Sequence, residues 1–338
     1  MGPNRSLCIN NQTLVVELVL LGFGNLQQLK HLVFVLFLIA YITTLTGNVI
    51  VIGVIISSPR LHNPMYIFLC NLSLCEILFT TNIVPNMLSA VWGGVGTMTV
   101  YGCFAQFYIY TATGSVECLL LTTMAFDRYL AICNPLRYSS MMDLRICKYL
   151  ALCAWLSGFL IMSVITVTAS HLELCGSNII DHIFCDLAPI LKMSSTDTFL
   201  VETEVFVVAI ALSLLPFTFI VGTYTSIFRT IVRISSASGR HKAFSTCSSH
   251  LIVVCMYYGT LITVYMVPSK GHNFNINKIL SLLYTVGTPC FNPIVYSLRN
   301  KEIKVALWKH ISNRISFHTP FNQQKYIKHY SHCSTIFI

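Results

Sequence analysis

The chain has 338 residues, of which 55% are hydrophobic and 10% charged, with a net charge of +9 and a mean hydropathy of +0.70. A soluble domain carries about 25% charged residues, so this composition excludes an ordinary soluble enzyme and points to a membrane protein. The positive balance does not signal nucleic-acid binding, because that needs a soluble basic face and none is written in the chain.

A bilayer core takes about 20 apolar residues per helix. Seven stretches meet that need, at roughly 31–57, 64–90, 101–132, 149–169, 200–228, 244–267 and 278–298. The segment before the first stretch is short and polar, and Asn4-Arg5-Ser6 and Asn11-Gln12-Thr13 make Asn4 and Asn11 glycan acceptors. Asn71-Leu72-Ser73 has the same pattern inside the second stretch, out of reach of glycosylation. No cleavable signal pattern precedes the first stretch, which is expected to act as its own insertion signal. Polar groups interrupt the third stretch, and Gly287, Pro289, Asn292 and Pro293 the seventh. Pro85, Pro216 and Pro289 each remove a helical hydrogen bond, which predicts kinks.

Basic residues set the orientation. With the N-terminus outside, Arg5, Lys30, Lys192, Lys270 and Lys278 face out. The other Lys and Arg, from Arg60 and Arg128 through Arg229, Lys242 and Arg299 to Lys328, face in. The net charge therefore reflects topology and an anionic inner leaflet. Cys70, Cys75, Cys118, Cys153, Cys255 and Cys290 lie within the apolar stretches, where a packing role suffices. On the oxidising side stand Cys8, Cys103, Cys175 and Cys185. His182 beside Cys185 does not by itself make a metal site.

The densest motif is MAFDRYLAICNPLRY at 124–138, which sets Asp127-Arg128 at the inner end of the third stretch, followed by Tyr129. A charged pair there is costly unless partnered, and so tends to mark function. With it come LLGF at 20–23, Gly47-Asn48, LHNPMY at 61–66, LSLCE at 72–76, KAFSTCSSHL at 242–251 and PCFNPIVYSLRN at 289–300. In that order, on those helices, the motifs resemble the odorant (olfactory) receptors of the rhodopsin-like class of G-protein-coupled receptors.

The resemblance implies an all-α membrane protein: a seven-transmembrane helix bundle, N-terminus outside, with a short amphipathic helix after helix seven. Residues 1–30 would form the extracellular segment, 31–298 the bundle and 299–338 a cytoplasmic tail. In that tail NKEIKVALWKHI carries Ile303, Leu307 and Trp308 as its apolar side. The resemblance also pairs Cys103 with Cys185, tying helix three to the second outer loop. Relatives usually close a further bond within that loop, from the position of Cys175 to a cysteine near 195; this chain has Ser195 there, leaving Cys175 either free or paired with Cys8.

Arg128, paired with Asp127 at rest, would swing toward a transducer when helix six moves outward, giving a two-state element. Asn292, Pro293 and Tyr296 would loosen the inner end of helix seven, Tyr296 and Tyr224 repacking around the arginine, and Lys242 would face the G protein. Glu76 and Glu117, carboxylates inside the membrane, need a proton, a partner or a cation. With Asn48 and Asn292 they resemble a mid-membrane cluster that holds a sodium ion. On helix three Phe107, Tyr110, Thr111, Gly114 and Ser115 share one face in the outer half. Family positions add Val205, Val208, Leu212, Tyr258, Leu261, Ile262, Tyr265 and Thr285. That lining is apolar and aromatic, with a few hydroxyls and no fixed charge, and suits a small neutral volatile ligand.

The expected activity is therefore that of an odorant receptor at the plasma membrane of olfactory cilia, not an enzyme. It would need no cofactor, and its partners would be an odorant, a stimulatory olfactory-type heterotrimeric G protein that raises cyclic AMP, and membrane lipid. The alternatives are a rhodopsin-like receptor for a non-odorant small molecule and a receptor that reaches the surface poorly. A transporter or channel would show inverted repeats or a charged pore, and an intramembrane enzyme a nucleophile or metal constellation; the sequence shows none of these.

Overall fold

The computed structural model describes residues 15–21, 29–266 and 280–318. Asn4, Asn11, Cys8 and the tail beyond 318 lie outside the described residues. The first span, α1 (Lys30–Ser57), has 28 residues, long enough to cross a hydrocarbon core about 30 Å thick. After a tight turn, α2 (Pro64–Gly93) opens with proline in its first turn, where no amide is lost, and stops at Gly94, whose φ of 84° suits glycine. The third span, α3 (Val100–Cys133), is capped by Thr99, whose hydroxyl accepts from the Gly102 amide at 3.1 Å. A short α4 (Pro135–Met141) follows at the inner face. The fourth span, α5 (Leu144–Ser170), is capped by Asp143, which accepts from the Ile146 amide at 2.7 Å. The one-turn α6 (Leu187–Lys192) belongs to the second outer loop. The fifth span joins α7 (Phe199–Ala209) to α8 (Leu215–Arg233). The sixth is α9 (Ala237–Met266), and the seventh ends in α10 (Thr288–Arg299), followed by α11 (Lys301–His318).

These spans close into a ring: α1 packs on α2, α2 on α3, α3 on α5 and α8, α8 on α9, α9 on α10, and α10 back on α1. Leu32, Leu36 and Ile39 on α1, Leu156 and Leu160 on α5, and Phe206, Leu214 and Val221 in the fifth span are all exposed on the outside of that ring. Water would penalise so large an apolar surface, whereas acyl chains accept it. Among the described residues, α1, α2, α5 and the joined fifth span are individually long and apolar enough to cross a membrane, and α9 qualifies if its two arms, bent by 41°, count as one. In α3, the buried Gln106, Glu117, Asp127 and Arg128 lower the hydropathy.

The expected kinks take a different form at two prolines. Single π turns, Ile210–Leu214 and Leu283–Gly287, stand just before Pro216 and Pro289. A wide turn absorbs the missing amide and the ring clash, so the helix continues. Pro85 and Pro293 lie inside α2 and α10.

A small sheet caps the outer end. Strand β1 (Glu17–Leu20) lies between β2 (Gly96–Thr99), antiparallel with Glu17 opposite Thr99, and β3 (Ile179–Ile180), parallel with Val19 opposite Ile179. From the sequence this stretch is expected only as part of a short polar segment on the outer side. Four residues are too short a run for alternation to stand out. At the inner end, the Asn300 side chain accepts from the Glu302 and Ile303 amides at 3.0 and 3.2 Å and starts α11. Ile303 is buried against the bundle, while Trp308 is 60% exposed.

Candidate functional site

The candidate functional side chains sit in three layers along the bundle axis. At the inner end, Arg128 donates from Nε to Asp127 Oδ2 at 3.0 Å and from Nη2 to the same oxygen, the ion pair found among the described residues. Tyr138 on α4 donates to the other carboxylate oxygen at 2.9 Å. Asp127 is thus fully buried, with both oxygens engaged. Tyr129 faces the fifth span and stacks on Phe126 with centroids 6.4 Å apart. Tyr224 bonds His250 Nδ1 at 2.6 Å, their rings stacked. Tyr296 is buried with no hydrogen-bond partner for its hydroxyl. A cavity of about 730 Å³ lies among Arg128, Tyr138, exposed Lys242, His250, Tyr296 and Asn300.

In the middle layer Glu76 is 1% exposed and Glu117 4%. Asn292 donates its amide to Glu76 Oε1, and Asn48 donates to its own Thr44 carbonyl at 3.1 Å. Glu76 Oε2, Glu117 Oε1 and Asn292 Oδ1 have no hydrogen-bond partner. Unpaired oxygens buried together call for a proton or a small cation. No group of three or more His, Cys, Asp or Glu side chains suited to a metal occurs among the described residues. A cation here would draw on two carboxylates and an amide oxygen.

In the outer layer, Tyr110 packs against Phe79, Phe184 and Tyr284 at centroid distances of 5.5, 5.1 and 6.3 Å. Tyr257 donates to the Gly114 carbonyl at 2.9 Å and lies 3.0 Å from Cys118 Sγ. A Cβ on Gly114 would meet the Tyr284 hydroxyl at 3.1 Å, so this glycine lets helices three and seven approach. Phe107 joins a separate outer cluster that Val205 and Val208 border, and Leu212 is buried in the π turn. Thr111, Ser115 and Thr285 each donate back to the preceding turn, at 2.8 Å. Tyr258 packs on Phe217 at 4.8 Å, and its buried hydroxyl has no partner. Leu261 is half-buried, but Ile262 is 39% exposed. One residue turns a helix by about 100°, so Ile262 is presented on a different side of α9 from Leu261. The Tyr265 side chain lies outside the described residues.

Sequence alone did not single out Tyr257, Tyr284, Phe79 and Phe184, which form one aromatic cluster with Tyr110, nor Tyr138 and His250, which hydrogen-bond Asp127 and Tyr224. Tyr138 and His250 sit inside quoted motifs, so the signal was present without a partner to interpret it. The four aromatics come from different segments, and nothing local joins them.

Cys103 and Cys185 form a disulfide, with Cα atoms 5.4 Å apart. The Cys185 amide donates to Gln106 Oε1 at 2.9 Å, fastening the loop to α3. Cys175 is disulfide-bonded, which removes the alternative of a free thiol; its partner lies outside the described residues.

Comparison with known proteins agrees with this arrangement. A family profile described as olfactory receptor matches residues 37–314. Olfactory receptor 11L1 of Homo sapiens is 43% identical over 299 residues, covering 88% of this chain and 93% of the relative. Olfactory receptor 2G3 of Homo sapiens is 43% identical over 307 residues, 91% of this chain and 99% of the relative. Olfactory receptor 10A7 of Homo sapiens is 43% identical over 305 residues, 90% and 96%. The chain is a multi-pass membrane protein with a seven-helix fold, and it belongs to the olfactory receptor family.

Proposed function

We propose that this receptor binds a small neutral odorant in the outer half of the bundle and activates a stimulatory olfactory-type G protein, raising cyclic AMP. The observation that carries the reading is Arg128, held by Asp127 and Tyr138 beside the inner cavity of about 730 Å³. Engaged there, the guanidinium is withheld from a transducer; released, it becomes a donor in a cavity whose rim carries Lys242. Asn4 and Asn11 would be glycosylated on the outer side, residues 31–298 form the signalling bundle and 299–338 lie in the cytosol at the inner leaflet. Ciliary plasma membrane is the location such a signalling role requires.

The ligand would rest on the aromatic floor of Tyr110, Tyr257 and Tyr284, with burial supplying most of the affinity. Among the hydroxyls of the proposed lining, that of Tyr258 is buried without a partner, and it is assigned to the ligand's polar atom. Tyr258→Phe should then weaken the response to a carbonyl or alcohol odorant by about three- to tenfold in half-maximal concentration, the worth of one hydrogen bond. An alkane-like agonist should be unaffected, and equal loss for both would remove Tyr258 from that role.

The Glu76, Glu117 and Asn292 oxygens would share a proton or a sodium ion that favours the resting state. Glu117→Gln keeps the shape and removes one charge, so basal cyclic AMP should rise and lose its dependence on external sodium. Unchanged basal signalling and sodium response would exclude the shared cation or proton.

The whole reading is tested by cyclic AMP in cells displaying the tagged receptor, challenged with a broad panel of neutral volatile odorants. A concentration-dependent rise supports it. Silence across the panel at full surface display overturns it, in favour of a non-volatile ligand or another G protein.

A further inference from the structure

The second outer loop doubles back beside Cys175. Leu174 and Ser194 form an antiparallel bridge, the Cys175 amide donates to the Met193 carbonyl at 3.0 Å, and the Ser195 amide donates to the Glu173 carbonyl at 2.9 Å. This pairing sets the Ser195 hydroxyl 3.3 Å from the Cys175 sulfur. A thiol at 195 would be in bonding reach; a hydroxyl cannot close the bond. Yet Cys175 is disulfide-bonded.

Its partner follows by elimination. Cys103 and Cys185 hold each other, and every other described cysteine is a free thiol. Of the 14 cysteines in the sequence, Cys8 and Cys333 remain. Cys333 follows α11 at the inner end and would have to meet the outer loop across the membrane. Cys8 precedes β1 on the outer side, and the strand's own contacts bring that end of the chain to the right place. The Val15 amide donates to the carbonyl of Leu174, the neighbour of Cys175, at 3.0 Å, and Val19 and Leu21 donate to Asn178 and Ile180 at 2.8 and 3.0 Å. The residues between Cys8 and Val15 can reach about 20 Å or more when extended, ample for a return to position 175.

We infer that the N-terminal segment is stapled to the second outer loop by a Cys8–Cys175 disulfide, which replaces the bond within the loop that Ser195 forbids. Two thiols give up two protons and two electrons as the S–S bond forms. The oxidised disulfide of a thiol–disulfide carrier in the secretory lumen accepts them and leaves as its dithiol. The staple fixes β1 between β2 and β3, so the cap over the outer end of the bundle is covalently closed on both sides: by Cys103–Cys185 to α3, and by Cys8–Cys175 to the N-terminus.

The test is non-reducing peptide mapping of the full-length receptor, its free thiols alkylated before extraction from the membrane. A Cys8 peptide joined to a Cys175 peptide, disappearing on reduction, is expected. Alkylated Cys8, or Cys175 joined to glutathione, to another cysteine or to a second copy of the chain, would overturn the inference. In Cys175→Ala, Cys8 should become reactive toward a membrane-impermeant maleimide from which it is protected in the native chain. Continued protection would mean that another group holds it, and would equally overturn the assignment. Neither readout depends on an odorant, so this inference and the proposed signalling role fail separately.

Discussion

Arg128→Ala should reduce the odorant-driven cyclic AMP rise by at least tenfold, corresponding to a loss of about 1.4 kcal/mol or more in coupling. The side chain has no substitute: it reaches Asp127 through two nitrogens and borders the inner cavity directly. Removing it also leaves Asp127 buried with one oxygen still receiving the Tyr138 hydroxyl. Loss of one member of a buried pair costs about 3–5 kcal/mol, so display must be matched before signalling is compared. Asp127→Asn separates coupling from stability by its sign. It weakens the hold on Arg128 while retaining the arginine, so basal cyclic AMP should rise where Arg128→Ala abolishes the response. If both variants fell together at equal display, the pair would be structural and not a switch.

Gly158→Leu should abolish surface display altogether. A Cβ at Gly158 on α5 would stand 2.7 Å from Val116 Cγ2, 3.0 Å from the Ala112 carbonyl and 3.2 Å from the Val116 amide. Two of these neighbours are backbone of α3, and Ala112 and Val116 are fully buried. Nothing there can yield except the helices themselves, and in a membrane small residues are what allow such close packing. Even Gly158→Ala should cost about 1–3 kcal/mol by overpacking. Gly53→Leu is the control, since nothing lies within 4 Å of that position on α1. Flow cytometry on an N-terminal tag reads both; a Gly158→Leu receptor displayed as well as Gly53→Leu would contradict the packing.

The bundle was legible in the sequence because the bilayer imposes its own length scale. Each apolar run long enough to cross became a helix, and where the ends are described they moved by up to seven residues, as at α9, which begins at Ala237 where the sequence suggests 244. The Asp127-Arg128 pair was legible because charges at a membrane helix end are rare. The π turns before Pro216 and Pro289 were not, since a proline marks a disturbance without stating how the backbone absorbs it. Strand β1 escaped notice because its partners are 80 and 160 residues away, Met98 opposite Leu18 and Ile179 opposite Val19. The outer pocket was the least legible. Helical period separates Leu261 from Ile262 only once the rotation of α9 is known, and the contact of Tyr257 with Gly114 joins two distant helices.

The central claim is that odorant binding opens the inner face to a stimulatory G protein. It is tested most directly by GDP release from a purified olfactory-type stimulatory heterotrimer, mixed with the receptor in lipid bilayers and challenged with the neutral odorant panel. At least one odorant should speed release, and Arg128→Ala should remove the effect. Release that no odorant accelerates, or acceleration that persists in Arg128→Ala, would contradict it.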